Sequence, residues 1–130
     1  MRVLFISLSL LFAFACQPSN YEGNGKTIEK VDPTVFQQVI SQGGLLIDVR
    51  TPDEYAEGHL EGSTNLDFLE MDFVDHINEL DTLKIVMVYC RSGGRSKSAA
   101  KILRTAGFSK VYDLEGGIGS WEEAGLATVK

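Results

Sequence analysis

A chain of 130 residues is long enough for one domain and short for two. With 44% hydrophobic and 23% charged residues it has the mix of a globular protein, which excludes low-complexity and repeat architectures. The formal net charge of −6 argues against nucleic acid as a partner, because most of the domain would repel a phosphate backbone.

The chain opens with "MRVLFISLSLLFAFAC": one basic residue, Arg2, then an apolar run from Val3 to Ala15. That run is too short for a stable bilayer-spanning helix and has the layout of an export signal. Ala13 and Ala15 flank Phe14 ahead of Cys16. The segment resembles a bacterial lipoprotein signal, which implies a lipidated Cys16 as the mature N-terminus; an ordinary secretory cut near Ala15 is the alternative. The polar "QPSNYEGNGK" then reads as a flexible tether. The expected organisation is a signal peptide over 1–15, a lipidated N-terminus and tether over 16–25, and a folded domain over 26–130. The expected location is extracytoplasmic, anchored by lipid to a bacterial membrane, inner or outer.

Strand and helix patterns alternate from there. "KTIEKV" is a short strand. "DPTVFQQVISQGG" is a helix capped by Asp32, with Pro33 at its first position, Gly43 at its end and Val35, Phe36, Val39 and Ile40 on one face. "LLIDV" (Leu45 to Val49) has the apolar density of a buried strand. "TPDEYAEG" is a helix capped by Thr51 and closed by Gly58, and "STNLD" holds another short strand. "EMDFVDHINEL" spaces Phe73, Val74, Ile77 and Leu80 as a helix does. "KIVMVYC" is the strongest strand. "SKSAAKILRTAG" is a helix ending at Gly107, with Ala99, Ala100, Leu103 and Ala106 inward. "KVYDL" is the last strand, and "GSWEEAG" is a short helix around Trp121. The alternation predicts an α/β fold with a mostly parallel central sheet flanked by helices. Such sheets bind ligands beyond the carboxyl ends of their strands, where Asp48, Arg50 and Cys90 fall.

"YCRSGGRSKSAA" raises the chemical question. Gly93 and Gly94 let a turn point its N–H groups inward, and the helix start adds partial positive charge. From Thr82 to Tyr112 there is no acidic residue, while Arg91, Arg95 and Lys97 lie near Cys90. Both features favour a thiolate and an anion bound to it, so Cys90 reads as an activated sulfur nucleophile. A buried, inert cysteine and a merely solvated basic face are the plain alternatives.

The chain resembles the single-domain rhodaneses through "LLIDVRTPDEYAEGHLEGSTNL", "CRSGGRS" and "VYDLEGGIGSWEEAG", in that order. The resemblance covers roughly residues 26–130. It implies a sulfurtransferase moving sulfane sulfur from thiosulfate or a persulfide to a thiol or cyanide, through a persulfide on Cys90. It implies that Arg91, Ser92, Gly93, Gly94, Arg95 and Ser96 hold the persulfide and the donor's oxygens, with no metal or organic cofactor. Asp48 and Arg50 are expected to form an ion-pair network with Glu54 that supports the loop; direct contact with the active loop from the neighbouring strand end is the alternative. His59, tempting as a base, is a scaffold residue in that family. His76 reads as exposed, Tyr89 and Trp121 as core, and Phe68 and Met71 as pocket mouth or packing. The implied partners are a small anionic sulfur donor, a thiol acceptor and, through the lipid, a membrane; a monomer is expected. The cell-cycle dual-specificity phosphatases share the implied fold with a longer C-x-x-x-x-x-R loop. Inactive rhodanese modules, which commonly replace the cysteine, are a further alternative. A thiol–disulfide exchanger is disfavoured by the lack of C-x-x-C.

Overall fold

The computed structural model describes residues 25–130; the expected leader, the lipidation at Cys16 and the tether up to residue 24 lie outside the described residues. Ten elements alternate: β1 Thr27–Val31, α1 Pro33–Ser41, β2 Leu45–Asp48, α2 Pro52–Glu57, β3 Thr64–Asn65, α3 Phe73–Asn78, β4 Val86–Tyr89, α4 Gly94–Ala106, β5 Lys110–Leu114 and α5 Gly117–Glu123. The strands form a five-stranded sheet in the order β1-β5-β4-β2-β3, every pair parallel, so the expected fold class is the observed one. Among the described residues no helix is long and apolar enough to cross a membrane.

Parallel strands are covered on both faces, and the core divides accordingly. On one face α3 and α4 press Phe73, Ile77, Ala99, Ala100 and Leu103 against Ile47, Val88 and Val111. On the other, α1 and α5 press Phe36, Val39, Ile118 and Trp121 against Leu46, Met87 and Leu114. Alternation along each strand decides which face a residue serves, which is why Ile47 and Leu46 part company. Alanines on α4 let that helix lie close to the sheet.

The local signals work as read. Asp32 accepts a hydrogen bond from the Val35 N–H at 2.9 Å, and Thr51 with Glu54 forms a complete capping box at the start of α2. Three expectations shift. Val35 and Val74, placed on inward faces by periodicity, are exposed, because α1 and α3 each turn a narrower stripe inward than their apolar spacing suggests. Helix α3 spans six residues, a single packed turn and a half. Helix α4 begins at Gly94, two residues before the expected Ser96, because Gly93 in the left-handed region (φ 110°) completes the turn and serves as N-cap. Gly94 therefore has ordinary helical geometry and supplies no turn freedom.

Candidate active site

β2 and β4 are neighbours at the centre of the sheet, but the chain leaves them in opposite directions: β2 leads to edge strand β3, β4 to β5. Their carboxyl ends form a switch point, where open α/β sheets leave a crevice. Cys90 follows β4 there, and Arg50 follows β2.

Cys90 is 1% exposed and is a free thiol. Its Sγ accepts from the Gly93 N–H at 3.1 Å and lies 3.6 Å from the Ser96 hydroxyl, which itself donates to the Gly93 carbonyl at 3.3 Å. Burial pushes the thiol up. Hydrogen bonds from the Ser96 backbone and hydroxyl and from the Gly93 and Ser92 backbone N–H groups outweigh it, so Cys90 sits below the ordinary thiol range. The cradle is thus built of amides and one hydroxyl at the first turn of a 13-residue helix.

A second element holds that loop in shape. The N–H groups of Ile118 and Gly119, at the start of α5, donate to the carbonyls of Cys90 and Arg91 at 2.9 and 3.2 Å. A trans peptide points its N–H opposite to its C=O, so anchoring these two carbonyls outward turns the Arg91 and Ser92 N–H groups the other way, Ser92 onto the sulfur. The approach is close: a Cβ on Gly117, whose φ is +63°, would stand 2.5 Å from the Cys90 and Arg91 carbonyl oxygens. The sequence reading overlooked Gly117, whose signal was the paired glycine of "LEGGIG".

The arginines part company. Arg95 donates to both carboxylate oxygens of Glu54, at 2.8 and 2.9 Å, tying the start of α4 to α2. Paired with Arg95 first and with Thr51, Glu54 is held well below the carboxylate range, at about 2. This corrects the expected network, in which Glu54 belonged to Asp48 and Arg50. Asp48 and Arg50 form a separate buried pair, Nη2 to Oδ2 2.6 Å, and Arg50 also donates to the Gly58 carbonyl at 2.7 Å. Among the described residues Arg91 makes no ion pair, and it lines a cavity of about 280 Å³ with Arg50, Glu54, Glu57, Gly119 and Glu122.

The remaining candidates are structural. The His59 ring stacks on Tyr55 at 3.7 Å, its Nδ1 lies 2.9 Å from the Tyr55 carbonyl, and its backbone pairs with Val129. Tyr89 is fully buried and its hydroxyl accepts from the Leu60 N–H at 3.0 Å. Trp121 is buried against Phe36. His76 is half exposed beside Asp72. Phe68 packs edge-on against Phe73, while Met71 is fully exposed.

A parallel α/β domain with an amide-cradled, acid-shifted cysteine at its switch point defines a class of thiolate-dependent transfer enzymes. Comparison with known proteins narrows it. The family described as "Rhodanese-like domain" matches residues 32–124. The thiosulfate sulfurtransferase GlpE of Ectopseudomonas mendocina (strain ymp) is 39% identical over 94 residues, covering 72% of this chain and 84% of that protein. Thiosulfate sulfurtransferase 16, chloroplastic, of Arabidopsis thaliana is 34% identical over 111 residues, covering 75% and 90%. A rhodanese-related protein from Thermoplasma volcanium superposes with a TM-score of 0.70 at 29% identity, over 78% of this chain and 97% of that one. The chain belongs to the rhodanese-like domain family and is a rhodanese-type sulfurtransferase.

Proposed function

We propose that this enzyme carries sulfane sulfur as a persulfide on Cys90, taking it from thiosulfate or a persulfide donor and passing it to a thiol or cyanide. The observation that carries the reading is the convergence of amide N–H groups on a thiol held below its ordinary range. The Cys90 thiolate attacks the outer sulfur of thiosulfate. A new S–S bond forms as the donor's S–S bond breaks, and sulfite leaves with the electron pair. The terminal sulfur of Cys90–S–S⁻ then occupies the cradle, where the N–H groups that favoured the thiolate hold the same single charge. An acceptor thiolate attacks that terminal sulfur and Cys90 leaves as thiolate, so both halves are displacements at sulfur that this chain's own residues support.

The engagement of Arg95 by Glu54 speaks against a phosphatase, which would need that guanidinium on a phosphate; Arg91, exposed and without an ion pair among the described residues, supports a role as a positive charge beside Cys90 for an anionic donor. The proposed setting is extracytoplasmic and lipid-anchored through Cys16, and rests on the leader sequence alone. Intact mass spectrometry after thiosulfate treatment tests the chemistry: the protein should gain one sulfur atom, dithiothreitol or cyanide should remove it, and Cys90→Ser should gain none. Unchanged turnover in Cys90→Ser would sink the mechanism.

A further inference from the structure

Helices α3 and α4 cover the same face of the sheet, but they do not close the space between them. A groove of about 410 Å³ remains, lined by Val74 and Asn78 of α3 and by Lys101, Ile102, Thr105 and Ala106 of α4, and its walls are mostly apolar. Helical spacing explains the lining. Phe73 and Ile77 face the core, so Val74 and Asn78, one position on from each, come to the flank of α3. Ala99 and Leu103 face the core, so Ile102 and Ala106, three positions on from each, come to the flank of α4. Val74 is 46% exposed there, an apolar side chain that the sulfur chemistry does not use and that the core does not take in.

The two rims of the groove differ in sign. On the α3 side Asp75 and Glu79 are exposed, and that helix carries no lysine or arginine. On the α4 side Lys101 lines the groove, Lys97 and Arg104 are exposed, and that helix carries no acid. Among the described residues none of these five charges is in an ion pair. An occupant of one sign, such as an acidic peptide or an anionic membrane surface, would be drawn to one rim and repelled by the other. The matching surface is apolar at its centre, with acids along one edge and bases along the other. A second copy presents that surface. Rotation about a two-fold axis lying along the groove sets each flank against the opposite flank of the partner, and the apolar centre meets itself. An axis across the groove would instead set acid against acid. We propose that two copies of this chain associate through the α3–α4 groove, about a two-fold axis along it, with Val74 near the axis and Asp75 facing the partner's Lys101. This replaces the expected monomer. The contact is small and each copy has a formal net charge of −6, so the dimer is weak and needs a high protein concentration. Lys101 is about 10 Å along the helix axis from Gly94, so the contact lies away from the Cys90 loop and does not depend on the sulfurtransferase reading.

Sedimentation equilibrium of the full chain between about 10 and 500 µM tests the proposal, and a monomer–dimer equilibrium is the expected result. Val74→Glu brings two carboxylates together near the axis and should weaken association about tenfold or more. Asp75→Lys and Lys101→Glu each set like charges opposite one another and should weaken it about tenfold. The two exchanges made in one chain should recover most of that loss, because every facing pair is again of opposite sign. All three side chains are exposed, so circular dichroism and kcat should match the wild type in each variant. A wild type that stays monomeric over the whole range would overturn the proposal, whatever else the groove binds. Association indifferent to Val74→Glu would overturn it too, by placing the contact on another surface, residues 1–24 included. A double exchange no better than either single one would rule out the axis along the groove, and the proposal with it. Should Val74→Glu fail to fold, the charge exchange decides the matter alone.

Discussion

At the residue scale the thiolate owes more to geometry than to charge. No arginine is among the main groups that lower Cys90; the work is divided among backbone N–H groups and Ser96, against burial. The two arginines in the loop then serve different ends. Arg91→Ala is expected to raise KM for thiosulfate a few-fold while sparing the fold, because Arg91 makes no ion pair among the described residues and its loss removes one positive charge next to Cys90. Arg95→Ala is expected to act on stability and on loop order, because it releases Glu54. That pair also sets a pH signature. Glu54 falls from the ordinary 4.5 to about 2 in the folded chain, so the stability it contributes is present above pH 4.5 and lost as the pH falls towards 2. The stability gap between wild type and Arg95→Ala in denaturant titrations should therefore narrow over that window; a gap constant from pH 6 to 2 would show that the pair contributes nothing.

At the element scale the active loop is clamped from two sides, by the first turn of α4, which supplies its N–H groups, and by the start of α5, which fixes two of its carbonyls. Gly117 is the point of contact. Substitution by alanine there meets both a left-handed φ and backbone oxygens 2.5 Å away, which a flexible side-chain end would forgive and a carbonyl does not. Gly117→Ala is expected to cost more than about 2 kcal/mol in stability. It should also raise the midpoint of the Cys90 alkylation profile, since the Ser92 N–H loses its aim. A variant of normal stability with an unshifted profile would show that α5 only rests on the loop. The Asp32 cap of α1 and the capping box of α2 work at the same scale, but they position the rim, Glu54 included, and do not touch the sulfur.

At the scale of the whole molecule an acidic protein presents a basic segment around Cys90. The chain carries 18 acidic and 12 basic residues, yet none of the acids lies between Thr82 and Tyr112. Folding partly undoes that segregation: Glu54 comes to Arg95, and Glu57 and Glu122 line the cavity with Arg91. The field around the arginines of the loop is thus mixed, and the attraction for an anionic donor is expected to be short in range. Raising the salt from low to about 0.5 M should increase KM for thiosulfate only a few-fold, less than an unpaired basic patch would give, and Arg91→Ala should remove most of that dependence. A steep salt dependence that survives Arg91→Ala would mean that the lysines of α4 steer the donor.

The sequence by itself determined the order of the elements, the parallel sheet and the thiol-stabilising turn after β4. Each of these is written locally: caps such as Asp32 and Thr51, apolar runs such as Leu45–Val49, and a glycine beside a cysteine at a strand's end carry their meaning within a few residues. Periodicity overreached only at Val35 and Val74, where the width of the buried stripe depends on what the helix packs against. The tertiary structure decided what lies far apart in the chain. Glu54 chose Arg95 over Arg50, 41 residues away against 4, because α2 and the start of α4 meet at the mouth while Arg50 is already held by Asp48. Gly117 came under the Cys90 and Arg91 carbonyls because β5 lies beside β4 and returns the chain to the active loop. Side-chain chemistry can be read from letters, but the partner that spends or frees a hydrogen bond is set by which strands are neighbours.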